Sequence, residues 1–243
     1  MQERGYTVYE LSRRAEGMPD IRHIVADITK EETLQAAVEQ VLAVEGRLDL
    51  VVNNAGFGIS GAIEFTDMQE AQRLFDTLFF GMVRMNRCVI PLMRQQGRGR
   101  IVNISSVAAP VPIPFQAYYS AGKAAINAYT MALANELRPF GVTVCAVMPG
   151  DIKTGFTAAR HKIIDGDDIY QGRIGRSVQR MEHDEQTGMD PAKVGRYIAA
   201  VASREGSHHP LYATRIDYKF FVFLTKVLPA RFLNWLIFQL YGK

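Results

Sequence analysis

At 243 residues and 48% hydrophobic content the chain can bury one sizeable core, and that length favours a single α/β domain over residues 1–243. With 28 basic and 25 acidic residues the net charge is +3, too balanced for a dedicated nucleic-acid binder, and the aromatics are not interleaved with basic runs. Cys88 and Cys145 are the only cysteines and form no C-x-x-C or Cys/His ligand spacing, so no disulfide framework or metal site is expected and a reducing cytoplasm fits best.

The opening "MQERGYTVYELSRR" has no apolar core of the signal-peptide kind, and no run approaches the ~18 apolar residues of a spanning helix. Secretion and membrane spanning are therefore not expected. Apolar, β-rich runs then recur at Thr7 to Leu11, His23 to Ala26, Leu48 to Val52, Ile101 to Ile104 and Val142 to Met148. Helix-length segments separate them at Glu31 to Val44, Asp67 to Gln96 and Ala117 to Leu137. Alternation of this kind predicts a doubly wound parallel sheet covered on both faces. "DLVVNN" and "RIVNIS" read as strands buried on both sides, because their apolar residues are consecutive.

From residue 157 to residue 190 the chain turns polar, with Gly166, Gly172, Gly175 and Gly188 among many charges. A connector of that length reads as a lid over a site, or as a solvated excursion. "DPAKVGRYIAAVA" follows as a helix, with Pro191 in its first turn after Asp190. The last stretch, 218–243, carries Lys219, Lys226, Arg231 and Lys243, no acidic residue and a broad apolar surface divided by Pro229. It suits an interfacial helix in peripheral contact with a membrane, or packing on the protein's own core or a sister subunit. His23, His161, His183, His208 and His209 show no metal spacing.

Ligands of open parallel sheets sit beyond the carboxyl ends of the strands. Three polar turns occur there: "NNAG" at 53–56, "SSVAAP" at 105–110 and "PGDIKT" at 149–154. Within "AYYSAGK", Tyr119 and Lys123 are four apart and share a helix face, whereas Tyr118 lies about 140° round from the lysine. A nearby ammonium favours a phenolate, and lowering the phenol from ~10 to ~7 needs roughly 4 kcal/mol. That would be a general acid/base near neutral pH.

Taken together, "NNAG", "IVNISS" at 101–106, "YSAGK" at 119–123 and "PGDIKT" resemble the short-chain dehydrogenase/reductase family over Gly5 to about Ile216. The resemblance implies an NAD(P)-dependent enzyme with a Rossmann-like fold that interconverts a carbonyl and a secondary alcohol. By position, Tyr119 would move the substrate proton, Lys123 would bind the nicotinamide ribose and lower the tyrosine pKa, and Ser106 would bond the carbonyl oxygen. Asn54, Ala55 and Gly56 would lie beside the adenine ribose, Asp27 and Ile28 would flank adenine, and Pro149, Gly150, Ile152 and Thr154 would border the nicotinamide. Arg13 follows the run that ends at Leu11, where an arginine pairs with the 2′-phosphate of NADP; NADP(H) is the favoured cofactor, with NAD as the other form. The family also implies a homo-oligomer.

Read bare, Arg13 and Arg14 are also consistent with solvated charges, Asn53 and Asn54 with turn formation, and Ser106 with an ordinary strand-end serine, as the lesser readings. Two features depart from the family. The T-G-x-x-x-G-I-G turn is missing from the sequence, and "ERGYTVYELSRR" resembles the end of a first helix followed by a second strand, so the first βα unit is expected to be absent through a late start. The position thirteen residues before Pro91, where the family usually has asparagine, is Leu78. These departures keep a second class of function open, a catalytically silent relative acting in binding or assembly. The apolar tail implies a hydrophobic substrate, or a peripheral membrane protein.

Overall fold

A computed structural model describes residues 1–204 and 209–243; His208 lies outside the described residues. In chain order the elements are β1 (Tyr9–Ser12), β2 (Arg22–Val25), α1 (Glu31–Glu45), β3 (Leu50–Asn53), β4 (Ile59–Ser60), α2 (Met68–Phe75) and α3 (Gly81–Gln96). Then come β5 (Gly99–Ile104), α4 (Ala117–Leu137), β6 (Val142–Met148), α5 (Phe156–Ala159), β7 (His161–Lys162), α6 (Arg173–Gln186) and α7 (Pro191–Ala202). The chain ends with β8 (Leu211–Ala213), α8 (Ile216–Val227) and α9 (Ala230–Ile237).

The fold is α/β and doubly wound. β3, β5, β6 and β8 form a four-stranded parallel sheet in the order β3-β5-β6-β8. Consecutive apolar residues on β5 and β6 face opposite layers, which is why these strands read as unbroken runs. Ile101, Val142 and Val144 pack with Leu34, Val38, Met85, Val89, Met93, Leu133 and Leu137 from α1, α3 and α4. Val102, Ile104, Cys145 and Val147 pack on the other side with Val201, Ala202 and Tyr212. Burying each such side chain is worth ~1.5–3 kcal/mol, enough to make the central strands the stable frame for the turns at their ends. Cys88 and Cys145 are free thiols.

The sheet is divided. β1 and β2 pair with each other in parallel, apart from the four-stranded sheet. A cavity of about 1570 Å³ lies between the two parts, lined by Tyr9, Glu10, Leu11 and Ser12 of β1 and by Leu50, Val51, Val52 and Asn53 of β3. Val52 is accordingly exposed, although its neighbours in sequence read as a buried strand.

Residues 157–190 are more ordered than their polar composition implies. β7 pairs in parallel with β4 through Ile59↔His161 and Ser60↔Lys162, and α6 is a full helix. Ile174, Val178 and Met181 recur on one face of α6 and bury against Ala62, Phe65, Phe115 and Tyr241. α7 starts as its sequence dictates: the Asp190 carboxylate accepts from the Ala192 amide at 2.9 Å, and Pro191 occupies the first turn. Between α2 and α3 the helix widens into a π-type turn at Asp76–Phe80. Among the described residues no helix is long and apolar enough to cross a membrane, and no group of three or more His, Cys, Asp or Glu could hold a metal ion.

Candidate active site

Ser106, Tyr119 and Lys123 meet where β5 ends and α4 begins. Of the two adjacent tyrosines, Tyr119 is the one beside Lys123, whose Nζ lies 5.5 Å from its ring centroid; the Tyr118 hydroxyl points to Met68. Tyr119 is buried with Ile59, Leu74, Leu78, Ala108 and Ile163, and Phe57 and Phe156 pack on that group. Ser106 lies near enough to the Tyr119 phenol to favour its ionised form, and its hydroxyl accepts from the Ala108 amide at 3.1 Å. Lys123 Nζ donates to the Ile104 carbonyl at 2.8 Å, and the Ser105 hydroxyl donates to the Lys123 carbonyl at 3.0 Å. The turn after β6 is tied in through the Val107 amide, which donates to the Pro149 carbonyl at 2.9 Å.

The residues named for the adenosine end of a cofactor share a different surface. Arg13, Asp27, Ile28, Asn54, Ala55 and Gly56 all line the cavity between the two parts of the sheet. Arg14 does not line it, being engaged with Glu10 and Ser12. Asp27 accepts from the Thr29 amide at 2.9 Å and the Thr29 hydroxyl at 2.8 Å, and these bonds, helped by Arg13, hold its carboxyl below the ordinary range. Gly56 permits close packing, since a Cβ there would stand 2.4 Å from Leu78 Cδ2. Gly150 is covered by α8, a Cβ falling 2.0 Å from the Tyr218 ring. Ile152 and Thr154, like Tyr119 and Lys123, do not line the cavity; the Ile152 backbone bridges to Met189, and the Thr154 hydroxyl accepts from the Phe156 amide at 3.2 Å.

Residues 2–163 match the family model described as short chain dehydrogenase. The chain is a short-chain dehydrogenase/reductase. It is 38% identical over 239 residues to a 3-ketodihydrosphingosine reductase of Bacteroides thetaiotaomicron, covering 97% of this chain and 86% of the relative. Among solved structures it is similar to a short-chain dehydrogenase from Streptomyces avermitilis, with a TM-score of 0.82 and 32% identity over 93% of this chain and 86% of that one. It is also similar to the 3-ketoacyl-(acyl-carrier-protein) reductase from Brucella melitensis complexed with NADH, with a TM-score of 0.72 and 26% identity over 87% of each chain. This short-chain dehydrogenase/reductase is therefore an oxidoreductase that uses a nicotinamide cofactor.

The residues present fit the two ends of that cofactor. The cavity gathers on one surface the residues that the family resemblance assigns to the adenosine end, and Lys123 bonds the carbonyl of Ile104, which also lines the cavity. Leu78 lies in the π-type turn and packs against both Gly56 and Gly122, the latter's Cβ position being 3.5 Å from Leu78 Cδ1. It puts an apolar branch between the "NNAG" turn and the helix that carries Tyr119, with no polar atom to pass a proton.

Electrostatics in this short-chain dehydrogenase/reductase differ from the expectation that Lys123 lowers the Tyr119 pKa. Burial pushes the Tyr119 phenol up to about 12, against the opposing effects of Ser106 and Arg160. Lys123 is not among the largest influences on it; its ammonium sits over the ring and donates to the Ile104 carbonyl, and burial brings it down to about 8. A further pair near Tyr119 was not anticipated from sequence. Arg160 Nη2 binds Glu185 Oε1, with the arginine side chain fully enclosed. Its guanidinium lies 5.7 Å from the Phe156 ring centroid, and that ring is 5.7 Å from the ring of Tyr119. Neither residue belongs to a recognisable motif, and 25 residues separate them in the chain.

The depressed lysine makes a stability prediction. Between pH 8 and 10.5, the folded and ordinary values, the unfolded chain binds more protons than the folded one. The ammonium's cost is thus complete below pH 8 and fades as pH rises to 10.5. That cost is about 3 kcal/mol, of which the bond to Ile104 offsets about 1 kcal/mol. Lys123→Met is expected to be about 2 kcal/mol more stable than the parent at neutral pH, with the gain disappearing towards pH 10.5. Urea unfolding of both chains across that range measures it.

Proposed function

We propose that this short-chain dehydrogenase/reductase is an NADP(H)-dependent enzyme that interconverts a carbonyl and a secondary alcohol on a hydrophobic substrate. The observation that carries the reading is the Tyr119 phenol, buried in an apolar enclosure, with Ser106 near enough to act on it and a buried Lys123 over its ring. Lys123 and Tyr119 would hold the nicotinamide ribose, Asp27 and Ile28 the adenine, Asn54 to Gly56 its ribose, and Arg13 a 2′-phosphate. When bound, the cofactor supplies or accepts a hydride at the substrate carbon.

This chain's residues do the rest. Ser106 orients the carbonyl oxygen, and the Tyr119 hydroxyl gives that oxygen its proton in reduction and takes it back in oxidation. Leu78, Phe57 and Phe156 keep water from the reacting atoms, and residues 157–190 act as the cover over them. Pro149 braces the serine turn through Val107. The apolar walls favour a ketone with a long hydrocarbon part. Because the Bacteroides relative is named for 3-ketodihydrosphingosine, that is the first ketone to test.

Purified chain is expected to reduce members of a panel of hydrophobic ketones with NADPH, followed through nicotinamide absorbance. Loss of a charge-assisted bond is worth ~1.5–3 kcal/mol, so Arg13→Ser should lower kcat/KM for NADPH by about tenfold to a hundredfold while leaving NADH little changed. Equal use of NADH and NADPH by the unaltered chain would remove the NADP assignment. Failure to bind either cofactor would remove the enzyme reading.

A further inference from the structure

α8 and α9 carry apolar side chains on the face turned away from the protein. On α8, Ile216, Phe220, Phe223 and Val227 recur at intervals of four, three and four residues, one stripe of a helix, and they are 84%, 58%, 55% and 55% exposed. The exposed Lys219 and Lys226 flank that stripe. On α9, Phe232 and Trp235 are exposed and stack with ring centroids 5.8 Å apart, beside the exposed Arg231. Surface apolar residues scattered singly need no explanation, but a regular apolar stripe does.

The opposite face explains how the pair is held. The Tyr218 hydroxyl donates to the Asp151 carboxylate at 3.0 Å and accepts from the Asp151 amide at 3.0 Å, fixing α8 to the turn after β6. After α9, the Tyr241 hydroxyl donates to Asp184 at 2.9 Å and Arg173 Nε donates to the Gly242 carbonyl at 2.5 Å, fixing the end of the chain to α6. The pair is therefore anchored at both ends while its aromatic side is left outward.

Charge decides what that side meets. From Tyr218 to Lys243 there are four basic residues, Lys219, Lys226, Arg231 and Lys243, and no acidic one. In a two-fold interface with a second copy, the same patch would face itself and set these cations against one another, since the one acidic side chain of α8, Asp217, is already paired with Arg215. A bilayer with anionic headgroups answers both features, an apolar boundary for the rings and phosphates for the cations.

We propose that the outward face of α8 and α9 docks on an anionic lipid bilayer, with Phe220, Phe223, Phe232 and Trp235 entering the boundary between headgroups and acyl chains. Tyr218 covers Gly150 at the end of β6, so docking sets the strand end expected to border the nicotinamide near the lipid; that consequence rests on the reductase reading, whereas the docking itself does not.

Trp235 is the only tryptophan in the chain, so intrinsic emission reports on α9 itself. With the full chain, vesicles of phosphatidylcholine containing phosphatidylglycerol should blue-shift the emission, and bromine-labelled acyl chains should quench it. Vesicles of phosphatidylcholine alone, or high salt, should weaken binding in a flotation assay. Phe220→Ser with Phe223→Ser should weaken it by about tenfold or more, with circular dichroism unchanged because both rings are already exposed. Tyr119→Phe should bind vesicles as the unaltered chain does, which separates docking from catalysis. Emission unmoved by anionic vesicles, or binding indifferent to the paired substitution, overturns the proposal. So does a blue-shifted emission without lipid that tracks protein concentration and a doubled mass, which would assign the face to a second copy.

Discussion

Tyr119→Phe is expected to lower ketone reduction by about 10²–10⁴-fold while leaving the fold intact, because a positioned general acid contributes that much and the ring itself is retained. The ring packs among Ile59, Leu74, Leu78 and Phe156, contacts that phenylalanine keeps. What goes is the buried hydroxyl, whose removal changes stability by no more than about 1 kcal/mol. The direction of the tyrosine pKa sharpens the test. With the phenol pushed up to about 12, it holds its proton throughout the neutral range and is ready to protonate a developing alkoxide. Reduction should therefore be nearly flat across neutral pH, and alcohol oxidation, which needs the phenol to accept a proton, should rise as pH rises. Stopped or steady-state assays through nicotinamide absorbance, with thermal unfolding as the control, read both. A variant that keeps more than about a tenth of the parent rate would mean that another group delivers the proton.

The helix that carries Tyr119 was legible to the residue, Ala117–Leu137, because it is rich in helix formers and its buried positions, Tyr119, Ser120, Lys123, Ile126, Asn127 and Thr130, recur at helical spacing. That same spacing separates Tyr119 from Tyr118. β6 was equally plain, since a run of apolar residues buried on both faces has few other uses. The π-type turn at Asp76–Phe80 was not legible, because widening by one residue leaves the apolar pattern nearly unchanged. α6 was hidden in a different way: Ile174, Val178 and Met181 lie at helical spacing, but the surrounding charges and glycines outweighed them. The direction of the lysine's influence was also beyond sequence. Four residues of separation place Lys123 beside the tyrosine, but whether its ammonium reaches the hydroxyl or the ring depends on where the Ile104 carbonyl stands. In the tail, periodicity shows that α8 is two-sided, and only packing shows which side faces out.

Breaking the Arg160–Glu185 pair should have the largest effect on stability, and the two ways of breaking it should move catalysis in opposite directions. The arginine side chain is fully enclosed, and Nε and Nη1 find no acceptor among the described residues. Glu185 also accepts from the Thr157 hydroxyl at 2.6 Å, so the carboxylate has a second donor and the arginine has less support. Removing one partner of a buried pair leaves an uncompensated charge and costs about 3–5 kcal/mol. Arg160→Met and Glu185→Gln should each be destabilised, the second more mildly because its amide keeps hydrogen-bonding capacity, and Arg160→Met combined with Glu185→Leu should recover much of the loss. The effect on Tyr119 separates charge from structure. Arg160 opposes the burial that raises the phenol, whereas Glu185 adds to it. Arg160→Met should therefore move the pH dependence of alcohol oxidation to higher pH, and Glu185→Gln should move it to lower pH, although both weaken the fold. Urea unfolding and a pH–rate profile on each variant provide the comparison. If both profiles shift the same way, displacement of α5 and α6 rather than charge governs Tyr119, and the pair acts by holding those helices over the site.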